Sequence, residues 1–175
     1  MQSRIMRAPA LIGAATLALA SLQPDMAAAQ PVQASAEHGA ALTSASELNS
    51  AIATMKARLK PDTDLLWQPV LMADGTTAAL EYWHRPRPPA VHVAEAEYVT
   101  VMQGSGWMLS GGTMTQSRET HPGLLEGAEI QGGTKRELKA GDVFLVPAGM
   151  PHYFGIYGDG LVLLGIKIPH SARKD

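Results

Sequence analysis

Twelve consecutive residues, Gly141 to His152 (GDVFLVPAGMPH), constrain this chain most. Val143-Phe144-Leu145-Val146 has the length and composition of a strand, and Pro147 ends it because proline cannot donate to a ladder. Gly149 supplies a turn, and the chain resumes as a second strand at His152-Tyr153-Phe154. Strand alternation places His152, Phe154 and Ile156 on one face, so an imidazole stands among apolar neighbours. A histidine in such surroundings is usually held by a partner, such as a metal ion. About fifty residues upstream, Val91-His92-Val93-Ala94-Glu95-Ala96-Glu97 offers a second histidine and two carboxylates.

The rest of the chain reads as many short strands with one helix before them. Ser44 opens the helix, with Glu47 three residues on as a capping box. Leu48, Ile52, Met55 and Leu59 recur at helical spacing, and Pro61 stops the run, which gives a helix over residues 44–60. Leu65 to Met72 and Thr76 to His84 are strands joined through the turn Ala73-Asp74-Gly75. Arg85-Pro-Arg-Pro-Pro ends the second of them. Strands follow at Val91–Val93 and Glu97–Gln103, closed by Gly104-Ser105-Gly106, and the meander goes on at Trp107–Ser110. Residues 111–134, rich in Gly and Thr, read as a long loop fit to be a lid. Leu161 to Ile168 is a nearly continuous apolar run, the pattern of a buried strand. Without a βαβ rhythm or an internal repeat, this order predicts an all-β fold: one small antiparallel barrel over residues 65–169 behind an N-terminal helix.

The N-terminus predicts export. Arg4 and Arg7 precede an apolar run from Ala10 to Ala20, and Ala27-Ala28-Ala29 offers small residues for cleavage before Gln30. Residues 1–29 are therefore read as a signal peptide with the periplasm as destination, and residues 30–43, which include a solvated His38, as a flexible linker. Arg4 and Arg7 are not adjacent, so the twin-arginine signal for folded export is missing. Loss of residues 1–29 leaves 12 basic against 15 acidic residues, a mildly acidic protein without a basic cluster. That balance argues against nucleic acid and against a membrane once the signal is cleaved, and points to small-molecule partners. The chain has no cysteine, so any metal must be held by histidine, carboxylate or water.

The two stretches resemble the two motifs of the cupin superfamily. Gly141, Pro147, Gly149 and His152 fall in register with the second motif, whose terminal Asn position holds Ile156. His92, Glu97 and Gly104 match the first, whose leading histidine is replaced by Ala90. A smaller group of exported single-domain bacterial cupins shares the Val-His-x-x-Glu-Ala-Glu string and the Gly-Gly loop. The resemblance implies a jelly-roll barrel in which His92, Glu97 and His152 hold one divalent metal ion, of which Zn, Fe, Mn, Cu and Ni are all compatible with nitrogen and carboxylate donors. Open coordination positions then suit dioxygenase-like, isomerase or lyase chemistry on a small organic molecule. Glu95 is the candidate general base or further ligand, with an exposed loop carboxylate as the alternative, and His84, placed on a face with Leu80 and Tyr82, reads as a hydrogen-bonded rim histidine, with replacement of the lost histidine as the alternative. Tyr82, Trp107 and Phe154 are candidate pocket walls, while His121 and His170 default to solvent. The family also implies a homodimer paired through sheet edges. A non-catalytic periplasmic barrel that captures a small ligand or a metal is the alternative to an enzyme.

Overall fold

In the computed structural model, which describes residues 30–33 and 39–170, two long strands form the frame. They are β5 (Glu95–Ser110) and β12 (His152–Pro169), paired antiparallel from Glu95↔Pro169 to Ser110↔His152. The signal peptide read over residues 1–29 and the middle of the linker, with His38, lie outside the described residues. The remaining elements, in chain order, are β1 (Val32–Gln33), α1 (Ala45–Ala57), β2 (Leu65–Ala73), β3 (Thr76–Trp83), β4 (Ala90–His92), β6 (Thr113–Met114), β7 (Arg118–His121), β8 (Leu124–Glu126), β9 (Ile130–Gln131), β10 (Thr134–Lys139) and β11 (Val143–Val146). Ten of the strands make one sheet, in which β12 pairs with β3, β4 and β5, and β5 also pairs with β10 and β11. This is the antiparallel barrel with one helix that the strand order predicts. Among the described residues the exception to antiparallel pairing is the two-residue β1, which joins the edge of β2 in parallel from within the stretch read as linker.

Several segments read as separate are continuous. Gly104-Ser105-Gly106 does not end a strand; β5 runs through it. A Cβ at Gly104 would overlap the Gly160 carbonyl, and one at Gly106 the Gly155 carbonyl, so these glycines let two backbones close up. Register shifts in β12 between Tyr157 and Leu161, and between Val162 and Leu163, bend the pair so that both strands can wrap the barrel. Residues 111–134 are likewise not a lid loop. β6 pairs with β9, β7 with β8, and β8 extends the main sheet along β4.

Two apolar layers flank the sheet. On the outside, α1 is capped as its sequence requires: the Ser44 side chain accepts from the Glu47 N–H and the Glu47 carboxylate from the Ser44 N–H. Its buried Ala51, Ile52 and Met55 pack on Val70, Ala78, Leu80, Tyr82 and Val162. Inside, Val99, Val101, Met108, Leu138, Val146, Phe154, Leu161 and Leu163 fill the barrel. Period-2 alternation in β3 therefore turns Leu80 and Tyr82 toward the helix and leaves Glu81 and Trp83 facing inward. The face assigned to the pocket from sequence is the helix-covered one, because both faces of β3 are buried and apolarity alone does not tell them apart. Among the described residues no helix is long and apolar enough to cross a membrane.

Candidate metal centre

The two motifs meet through their backbones before their side chains do. Pro147 to Met150 form a turn closed by the Met150 N–H on the Pro147 carbonyl at 3.2 Å, with Gly149 at φ +77°. The Gly149 N–H donates to the His92 carbonyl at 2.8 Å, so the turn that delivers His152 is tied to the residue that carries the other histidine. His152 then pairs with Ala90 across β12 and β4. The imidazoles of His92 and His152 stack with centroids 5.5 Å apart.

His92, Glu97 and His152 each present one donor atom, and the three atoms lie within 4.8 Å of one another. Glu97 Oε2 is 3.6 Å from His152 Nε2 and 4.0 Å from His92 Nε2. His152 Nδ1 lies 3.2 Å from the Met150 carbonyl, which only accepts, so the proton sits on Nδ1 and the Nε2 lone pair points into the site. Both rings are held neutral. Burial, then the Lys167 charge, bring the His92 pKa down to about 4; burial also lowers that of His152, against the pull of Glu97. Burial pushes the Glu97 carboxyl up, but the charge and hydrogen bond of Lys167 oppose this, and its pKa lies below the usual value. Two neutral imidazoles and an ionised carboxylate are a donor set that fits a divalent ion.

Two further side chains complete the centre, and sequence reasoning missed both. Lys167 Nζ lies 2.6 Å from Glu97 Oε1 and 2.7 Å from His92 Nε2. Glu81 is buried beside them, accepts from Trp83 Nε1 at 2.9 Å, and has its pKa raised to about 7 by burial and by the charge of Glu97. Each announces itself only as a lone charge in an apolar run, Lys167 within Leu161–Ile168 and Glu81 within Ala78–Trp83.

The centre forms the floor of a cavity of about 220 Å³ whose walls include Leu65, Trp83, Pro88, Leu124 and Phe154. A second cavity, of about 210 Å³, adjoins it and adds Thr76, Thr77 and Glu95 to the lining. Trp67, Glu81, Glu97 and Lys167 line both. Glu95 thus stands two residues from Glu97 on the same strand, on the more polar cavity, outside the His92/Glu97/His152 group. Ala90 lines the apolar cavity, where the absent histidine of the first motif would stand. His84 does not replace it: the ring is with Tyr82 on the helix side of β3, and its buried Nδ1 has no partner among the described residues. Of the three aromatic walls expected, Phe154 is one, Tyr82 packs under α1, and Trp107 lies against Tyr153 and beneath Lys135.

Comparison with known proteins places this architecture. No curated protein matches the chain. Among solved structures it is similar to KdgF from Halomonas sp. (18% identity, 65% of this chain and 87% of that chain, TM-score 0.44) and to TT1209 from Thermus thermophilus (16%, 68% and 95%, 0.48). It is also similar to the hydroquinone 1,2-dioxygenase PnpCD, solved with Cd2+ and 4-hydroxybenzonitrile (21%, 65% and 68%, 0.47). The cupin family model matches residues 86–173, half of the chain and the half that carries His92, Glu97 and His152, and the protein therefore belongs to the cupin family.

Proposed function

We propose that this protein is an exported, metal-dependent cupin enzyme acting on a small organic molecule, by oxygenase, isomerase or lyase chemistry. The observation that carries the reading is the convergence of His92 Nε2, Glu97 Oε2 and His152 Nε2 at the base of an apolar-walled cavity. A divalent ion held there would supply Lewis acidity toward a hydroxyl, carbonyl or carboxylate of the substrate. The chain's own residues do the rest. Trp83, Leu124 and Phe154 exclude water and bind the apolar part of the ligand. Glu95 and Glu81, which both line the more polar cavity, would be the carboxylates that move a proton. Removal from the cytoplasm before folding would favour zinc or copper over iron on affinity. The test is turnover of candidate substrates that stops with a chelator and returns with one metal.

A non-catalytic binding barrel is the second reading, and the ammonium of Lys167 on His92 and Glu97 is the observation in its favour, since it satisfies the site without metal. Ligand binding that is indifferent to chelator would support it. Export rests on the sequence of residues 1–29; fractionation with N-terminal sequencing should find mature protein beginning near Gln30, and intact Met1 in the cytoplasm would refute it. Homodimerisation is proposed through the outer face of β5, β11 and β12, where Tyr98, Val143, Leu145 and Ile168 stay exposed beside the helix-covered layer. A second copy is the occupant that such a continuous apolar face on an edge strand suits.

A further inference from the structure

We propose that Lys167 is the site's built-in cation, and that a metal ion enters only by displacing it. The proposal rests on the metal-binding reading above. His92 Nε2 has one lone pair, and in the structure it accepts from Lys167 Nζ at 2.7 Å. A metal that used this nitrogen would need the same lone pair and would bring a second positive charge against the first. Ammonium and metal are therefore alternative occupants of one atom.

The arrangement has a physical rationale in each state. Glu97 is 4% exposed, and a buried carboxylate left without a cation is costly; Lys167, at 2.6 Å from Oε1, meets that need. When a metal takes over the neutralisation, the ammonium requires another acceptor, and Glu81 stands beside it. Gly165 faces both carboxylates: a Cβ built there would lie 3.6 Å from Glu97 Oε1 and 3.9 Å from Glu81 Oε1. With no side chain in that gap, a flexible four-carbon stem can swing between the two acids. Lys167 is one-third exposed, lining both cavities, and has room to do so.

The competing role for the same residue is a positioning one, in which Lys167 stays on Glu97 Oε1 and fixes the carboxylate while the metal takes Oε2. The two roles predict opposite signs. Zinc is titrated calorimetrically into chelator-treated wild type, Lys167→Met and Lys167→Gln. Displacement predicts that both variants bind about tenfold or more tightly than wild type, because a hydrogen bond to a charged group no longer has to be broken. It also predicts a larger zinc-induced rise in Tm for the variants, whose metal-free form has lost its cation. Equal or weaker zinc affinity in both variants, with wild type still binding, overturns the lysine proposal and leaves the metal reading standing. No zinc uptake by any of the three overturns both. Should neither variant fold, the zinc-bound wild-type structure decides. Lys167 Nζ beyond hydrogen-bond reach of His92 Nε2 and turned to Glu81 supports displacement; retention of that contact refutes it.

Discussion

Glu81 offers a quantitative test of the electrostatics inside the barrel. Its carboxyl is buried on the inner face of β3, and burial together with Glu97 raises its pKa from 4.5 to about 7, against smaller opposing pulls from Lys167 and Trp83. In the unfolded chain the group returns to its ordinary value. Between those two values the folded form keeps a proton that the unfolded form has lost, so stability falls as pH rises through this window. It levels off once both forms are ionised. At about 1.4 kcal/mol per pH over that range, Glu81 should cost the fold about 2–3 kcal/mol on going from pH 5 to pH 8. Glu81→Gln keeps the shape and an acceptor for Trp83 Nε1 while abolishing the titration. His92 and His152 act in the opposite sense: their lowered pKa values give stability that is present above about 6.5 and lost as pH falls, for His92 toward about 4. That contribution is common to both proteins and cancels in the difference. Urea unfolding with EDTA at pH 5, 6, 7 and 8 should show the variant gaining about 2–3 kcal/mol on wild type across the series. A difference constant to within about 0.5 kcal/mol would refute the reasoning.

Three other outcomes follow from particular contacts. Ala90→His places an imidazole opposite His152 on the cavity wall and should tighten metal binding by about tenfold or more, read by calorimetry; unchanged affinity would mean the added ring does not reach the ion. Gly104→Ala should lower stability by about 2–5 kcal/mol in urea unfolding, since its φ of +81° and the Gly160 carbonyl both exclude a Cβ. Light scattering should give a dimer mass for wild type and a monomer mass for Leu145→Asp, whose side chain lies in the exposed apolar face; a wild-type monomer at working concentration would remove the dimer proposal.

How much of this was legible in the sequence depends on what each residue had to signal. The strand–Pro–Gly–strand order around His152 is a local pattern, and so are the capping box at Ser44 and the hairpin at Asp74-Gly75; local patterns fix all-β architecture and the helix before it. The convergence of His92, Glu97 and His152 was legible because their spacings match two family motifs. Faces were harder. β3 is buried on both sides, so Leu80 and Tyr82 looked inward although α1 covers them, and His84 followed them to the wrong face. Lys167 and Glu81 carry no motif, and their meaning comes from standing near each other on the paired strands β12 and β3, although 86 residues separate them in the chain. Residues 111–134 looked like a loop because their strands have two to four residues each, too short for a periodicity to show.

Whether His92, Glu97 and His152 together hold one divalent metal is decided by metal stoichiometry. Mature wild type and His152→Ala are stripped with chelator, titrated with zinc, desalted and analysed for bound metal, with circular dichroism confirming that both keep the barrel. His152 supplies a donor whose lone pair its own backbone contact aims into the site, so its loss leaves two donors, one of them already engaged by Lys167. One zinc per chain is expected in wild type and none in the variant. Full zinc content in His152→Ala, or none taken up by wild type, would rule out the three-residue centre.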